Sequence, residues 1–244
     1  MAEMTPADRV IAAAGAGDLA AVRALVEADG ALVSAATPAG ERAIHAAHYH
    51  GHAGVVAYLV AHGEVEDIWL DTQLGRIERV QAHLDADPTL IASPHPTGVI
   101  PLHAAVFWGF PDIVRLMLER GADVTHASSY GYTPLHSAVA APTTYCPGEE
   151  EDVVLETVQL LLDAGGDPNA RTQGGQTPAF TAAANGDLRV VQVLVAHGAD
   201  PSIRSYAGDG PYADRAPVDI AAERGHKHVV AYLRGLASGS PAAR

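Results

Sequence analysis

Three segments of this chain share one pattern: Thr133-Pro134-Leu135-His136-Ser137-Ala138, Ile100-Pro101-Leu102-His103-Ala104-Ala105 and Arg42-Ala43-Ile44-His45-Ala46-Ala47. Each reads as a helix start, and in two of them proline falls where its fixed φ and missing N–H suit the first turn. Downstream of each, an apolar stretch with helical spacing stops at glycine: Val55-Val56-Ala57-Tyr58-Leu59-Val60 before Gly63, Ile113-Val114-Arg115-Leu116-Met117-Leu118 before Gly121, and Val158-Gln159-Leu160-Leu161-Leu162 before Gly165. Each unit is therefore a pair of helices. Gly121 to Val124, Gly166-Asp167-Pro168-Asn169 and Gly198 to Pro201 supply the turn chemistry that returns the chain to the next pair. One such unit cannot bury its apolar face alone, so the repetition dictates a stack.

These motifs resemble the ankyrin repeat, and the resemblance runs from about Pro6 to Leu236. It implies an all-α solenoid of stacked helix pairs with β-hairpin-like turns, a single array over residues 1–237 and a disordered tail at 238–244. Aligning the motif histidine gives Ile11, His45, Trp69, His103, His136, Phe180 and Asp219, hence seven units, separated by 34, 24, 34, 33, 44 and 39 residues. A regular array would step by about 33. In the short step, Glu64-Val65-Glu66-Asp67 is expected to turn directly into the next helix, with one hairpin finger missing. The step of 44 places an insertion, Pro142 to Gly148 followed by the acidic Glu149-Glu150-Glu151-Asp152, between the two helices of its unit. The step of 39 lengthens a hairpin through Ser205 to Tyr212.

Charge and composition exclude several functions. Lys and Arg number 15 against 29 Asp and Glu, a net charge of -14, which disfavours nucleic acid and anionic membranes as partners. Cys146 is the sole cysteine, so no internal disulfide or cysteine zinc cluster is expected. The start lacks a basic region followed by an apolar core, and no run has the length of a membrane span, so the expected location is cytoplasmic. Lys227 is the single lysine, a bias expected of a GC-rich bacterial genome.

The resemblance implies a binding scaffold that meets a protein or peptide on its concave side, through hairpin tips and the two positions before the glycine that ends each inner helix. Tyr49, His50, Gln73, Leu74, Phe107, Trp108 and Asn185 occupy such helix positions, and Tyr130 and Tyr132 flank Gly131 at a hairpin tip. Tyr49, Phe107, Trp108, Tyr130 and Tyr132 are aromatics of the type that anchors interfaces. With the acidic charge, they imply a basic or amphipathic partner.

Histidine is abundant, at 13, and clusters in His45-Ala46-Ala47-His48-Tyr49-His50-Gly51-His52. No metal site or cofactor is expected, because only His45 and His48 share a helix face and neither carboxylate nor cysteine completes a zinc spacing. His45, His52, His103 and His136 match motif positions, where the family's histidine bonds the backbone of turns. His48 and the Asp71-Thr72 pair stand where small residues are expected. A buried histidine oriented by Asp71 is the arrangement of general acid/base catalysis, so the alternative to a binding scaffold is an unusual enzyme or small-molecule binder using His48 and Asp71, with Tyr145 and Cys146 as a lid. The competing structural account is a buried hydrogen bond that fills an irregular junction.

Overall fold

Helix formation follows the capping chemistry of the sequence. Thr5 opens the first helix, α1 (Pro6–Gly15), with a capping box: Asp8 N–H donates to the Thr5 hydroxyl at 3.1 Å and Thr5 N–H donates to the Asp8 carboxylate at 3.0 Å. Asp18 then caps α2 (Leu19–Ala28), accepting from Ala21 N–H at 2.9 Å. The pairs continue as α3 (Ala43–Tyr49) with α4 (Ala53–Ala61), α5 (Ile68–Gln73) with α6 (Ile77–Ala86), and α7 (Pro101–Phe107) with α8 (Pro111–Glu119). They end as α9 (Pro134–Ala140) with α10 (Glu150–Asp163), α11 (Pro178–Asn185) with α12 (Leu188–Ala196), and α13 (Pro217–Glu223) with α14 (Lys227–Ala237). Proline opens α1, α7, α11 and α13 within the first two positions.

The computed structural model describes residues 4–38, 40–63, 67–95, 97–140, 150–208 and 210–237, with the side chains of residues 150–152 left out. Among them the architecture is all-α, with no strand and an isolated bridge between Ala36 and Arg42. The chain divides into two compact parts, Met1–Asp71 and Thr72–Arg244. In the first, α1 packs on α3 and α2 on α4. In the second, α7, α9, α11 and α13 form one layer in chain order and α6, α8, α10, α12 and α14 a second. The core between the layers is aliphatic: Leu102, Leu135, Ile113, Met117, Leu161 and Leu194 are fully buried or nearly so. Buried alanines such as Ala105, Ala138, Ala182 and Ala221 recur at one position of the inner helices and let them approach closely.

The junction between helix pairs also recurs. At Gly17, Gly75 and Gly186, left-handed glycines that follow inner helices, the residue after the corresponding glycine of a later repeat, His52, Phe110 or His226, lies against the glycine. At Gly186, with φ of 80°, a Cβ would overlap the His226 ring. That ring hydrogen-bonds the Ala184 carbonyl through Nε2 at 3.0 Å, and His52 makes the same reach to the Gly15 carbonyl at 3.0 Å. Burying the carbonyls of a helix end requires such donors.

The irregular steps have distinct outcomes. Only six residues separate α4 from α5, and Asp67 enters α5 directly: its carboxylate accepts from Leu70 N–H at 2.8 Å and from the Arg42 guanidinium at 2.6 Å. The insertion falls between α9 and α10 as expected, and α10 begins inside the acidic run, at Glu150. Residues 141–149, which include Tyr145 and Cys146, and the tail at 238–244 lie outside the described residues.

Candidate partner-binding surface

Four of the segments between an outer helix and the next inner helix form tight fingers that share one geometry. In the finger at 128–132, Ser128 N–H donates to the Tyr132 carbonyl at 2.9 Å and Gly131 N–H to the Ser128 carbonyl at 2.8 Å. The same two bonds close 37–41, 95–99 and 172–176. The long finger at 205–215 keeps the outer bond, from Ser205 N–H to the Arg215 carbonyl at 2.9 Å, and loops out between. Within the larger part the tips join in a row: Ser129 N–H donates to the Thr97 carbonyl, Gln173 N–H to that of Tyr130 and Tyr206 N–H to that of Gly174, each at 3.0 Å. The approach is close enough that a Cβ on Gly175 would come within 2.5 Å of the Tyr206 nitrogen. The donor is always the second residue of the later finger. In 37–41 the residue at that position is Pro38. Proline leaves no N–H to be orphaned at the start of a row.

Histidines pin the row to the helices. His103 Nδ1 accepts from Ile100 N–H at 3.3 Å, and its Nε2–H donates to the Tyr132 carbonyl of the next finger at 3.1 Å. His136 repeats this, with Nδ1 facing Thr133 N–H at 3.2 Å and the Thr133 hydroxyl at 2.9 Å, and Nε2–H on the Gln176 carbonyl at 3.2 Å. Burial pushes His103 down to about 4 and lowers His136 as well, so both rings are neutral at pH 7. These two motif histidines do bond turn backbone as the sequence implies. His45 lies instead 3.3 Å from the Arg42 guanidinium.

On this framework Tyr130, Tyr132 and Tyr206 stand 62%, 39% and 53% exposed at the finger tips, a large aromatic area held by fixed backbone. Arg171 lies 4.4 Å over the Tyr206 ring and donates to the Arg204 carbonyl at 2.6 Å. Of the other expected contact residues, Tyr49 and His50 are exposed in the smaller part, and Gln73, Leu74 and Phe107 are half-buried. Asn185 is exposed but its amide donates to the Val139 carbonyl at 2.8 Å, which ties α11 to the end of α9. Trp108 departs from the expectation of an exposed anchor: it is 7% exposed, with the Phe107 ring edge-on at 5.5 Å. His48 is half-buried and Asp71 fully buried, both in the smaller part; Asp71 takes the place that alanine holds in the other inner helices. Among the described residues no group of three histidines, cysteines or carboxylates is arranged to hold a metal.

Tyr206 and Tyr212 escaped the sequence reading, although both lie in the lengthened hairpin it identified. The available signal was finger register: Tyr206 follows Ser205 as Ser129 follows Ser128, which puts it at a tip.

Helix pairs joined through bonded fingers, with histidine linking two of the fingers to the repeat before them, define a repeat scaffold. A family model for ankyrin repeats matches residues 68–146 and 150–240, more than half of the chain, and the chain belongs to the ankyrin repeat family. Its relatives include ankyrin repeat domain-containing protein 63 of Mus musculus, 34% identical over 170 residues, covering 67% of this chain and 40% of that protein. Protein phosphatase 1 regulatory subunit 27 of Homo sapiens is 30% identical over 105 residues, covering 43% of this chain and 61% of that protein. BCL-6 corepressor-like protein 1 of Homo sapiens is 35% identical over 88 residues, covering 36% of this chain and 4% of that protein. The match spans less than two thirds of the length of each.

Proposed function

We propose that this chain is a protein-binding scaffold of seven ankyrin repeats, whose partner lies across the finger tips of the larger part and into the groove beside the inner-helix ends. The observation that carries this reading is the set of three exposed tyrosines, Tyr130, Tyr132 and Tyr206, on tips that are hydrogen-bonded into one row. Rigid aromatics with little rotamer entropy to lose are effective anchors. Relatives named as a phosphatase regulatory subunit and a corepressor-like protein are consistent with a role in association.

Charge shapes the partner. Around the long finger and the start of α13 the charges pair off, Arg204 with Asp214 and Asp219 and Arg215 with Glu223. The excess acid sits on outer helices and the loops behind, at exposed residues such as Asp85, Asp87, Glu119, Asp123, Asp163 and Asp200. An amphipathic peptide fits this distribution, with an apolar or aromatic anchor on the tyrosines and basic flanks directed to the acidic loops. The test is selection of displayed linear peptides on the whole chain. Selected binders carry an apolar anchor with Lys or Arg beside it, and the double variant Tyr130→Ala, Tyr206→Ala weakens them at least about tenfold. Binders with neither feature, or affinity unchanged in the double variant, overturn the reading.

A further inference from the structure

We infer that the fingers at 128–132 and 172–176 are locked to the preceding repeat by histidines that must stay neutral, and that acid releases these two while the finger at 205–215 keeps its closure. The geometry is specific to the neutral ring. Nδ1 of His103 receives Ile100 N–H, and Nδ1 of His136 receives both the N–H and the hydroxyl of Thr133. Each ring then has its proton on Nε2, aimed at a carbonyl of the next finger, Tyr132 or Gln176. A second proton has nowhere to go but Nδ1, where it meets the backbone N–H of Ile100 or of Thr133 head-on, although at His136 the Thr133 hydroxyl can rotate to accept it, which makes His103 the stricter lock of the two. The ring must turn out, and both the helix cap and the finger bond are lost together.

The surroundings do not rescue the cation. Around His103 stand His126, its ring edge-on at 5.8 Å, and His136 on α9, both of which oppose added charge. His126 has Asp123 near it, and its own Nε2 is engaged with the Gly98 carbonyl at 2.8 Å. Around His136 stand the Tyr132 ring at 5.8 Å, the Ala170 backbone and Asp167, whose charge favours the cation but is outweighed by burial.

The third finger lacks this lock because Phe180 stands at the histidine position. In compensation the Ser205 hydroxyl takes over: it donates to the Tyr212 carbonyl, lies 3.3 Å from the Arg215 carbonyl, and accepts from Arg215 N–H at 3.0 Å. The Tyr212 ring rests edge-on against Phe180 at 5.9 Å. This closure is made by a hydroxyl and backbone groups, with no imidazole in it. Tyr130 and Tyr132 thus ride on an acid-labile finger and Tyr206 on an acid-stable one. The consequence for binding rests on the function proposed above, but the switch is measured without any partner.

The experiment is amide hydrogen exchange by NMR on the whole chain at pH 7 and pH 5, corrected for intrinsic rates, with the imidazole tautomers read at pH 7. With the ring at about 4 when locked and 6.5 when released, opening at Ile100 and Ser129 rises about 20-fold between the two pH values. Thr133 and Gln173 rise in the same direction, and Ser205 stays within about threefold. His103→Gln, which can still donate to the Tyr132 carbonyl but cannot titrate, abolishes the response at Ile100 and leaves that at Thr133. Equal changes at all five amides, no change at the first four, a proton on Nδ1 at pH 7, or an undiminished response in the variant overturns the inference. Peptide affinity lost in the tyrosine double variant is scored separately, so either reading can fail alone.

Discussion

The Phe180 ring stands at the position held by His103 and His136 in the two preceding repeats, and Tyr212 of the long finger lies edge-on to it at 5.9 Å with an interplanar angle of 72°. The Tyr212 hydroxyl accepts from Arg224 at 3.2 Å, and the same guanidinium donates to the Ala184 carbonyl at 3.1 Å. Lengthening of the finger and loss of the histidine thus occur together, and an aromatic contact replaces a hydrogen bond between repeats.

Removal of this contact loosens the last repeat. Tyr212→Ala is expected to lower stability by about 1–2 kcal/mol, since an aromatic pair contributes up to about 1.5 kcal/mol beyond its buried area. Tyr212→Phe keeps the ring and gives up only the hydroxyl bond, so its loss is smaller. Urea unfolding of the two variants, with exchange rates of α13 and α14 amides, checks the order.

Asp67 opens α5, which follows α4 after only six residues. It caps α5 and pairs with Arg42, whose side chain is only 12% exposed. Asp67→Ala should cost about 1–2 kcal/mol, a cap contributing about 1 and the half-exposed pair less. Asp67→Ser retains the cap and should recover about half of the loss. Equal urea midpoints for the two variants would show that the cap is unimportant.

Acid should weaken the fold in a defined window. His103 is lowered from 6.5 to about 4 by burial, so its neutral form is the stable one. Its contribution is complete above pH 6.5 and is lost as pH falls toward 4, amounting to about 2 kcal/mol between pH 7 and pH 5. Asp87, Asp123 and Asp200 are held below the usual 3.8 by Thr89, Thr125 and Ser202, and act only in stronger acid. Urea midpoints at pH 7 and pH 5 should therefore diverge in the wild type and draw together in His103→Gln.

Gly175 has φ of 76° and sits against Tyr206. Gly175→Ala should destabilise by about 1–2 kcal/mol from the left-handed backbone alone, with more from displacing the adjoining finger. The change is expected in the fingers at 172–176 and 205–215, seen as lost protection of the Tyr206 amide.

Tyr130→Ala and Tyr206→Ala, by contrast, should shift stability by less than about 0.5 kcal/mol, because their rings are mostly in water. A larger loss in thermal or urea unfolding would mean that these tyrosines serve the fold, not a partner.

Much of the architecture was legible in the sequence because it is written locally. Helix periodicity, the proline starts and the closing glycines lie within a few residues of one another, and they placed the helix pairs and the unusually short step at Asp67. The roles of His103 and His136 were also legible, as positions of a repeated motif. What the tertiary structure alone decided are bonds between residues far apart in sequence. His103 reaches a carbonyl 29 residues on and Asn185 one 46 residues back, and whether such groups meet depends on how one repeat stacks on the next. The same dependence buried Trp108, placed at the end of an inner helix by pattern but turned into the layer by packing. It also left Tyr206 at a tip, because a finger's exposure is set by the neighbouring finger it bonds and not by its own residues.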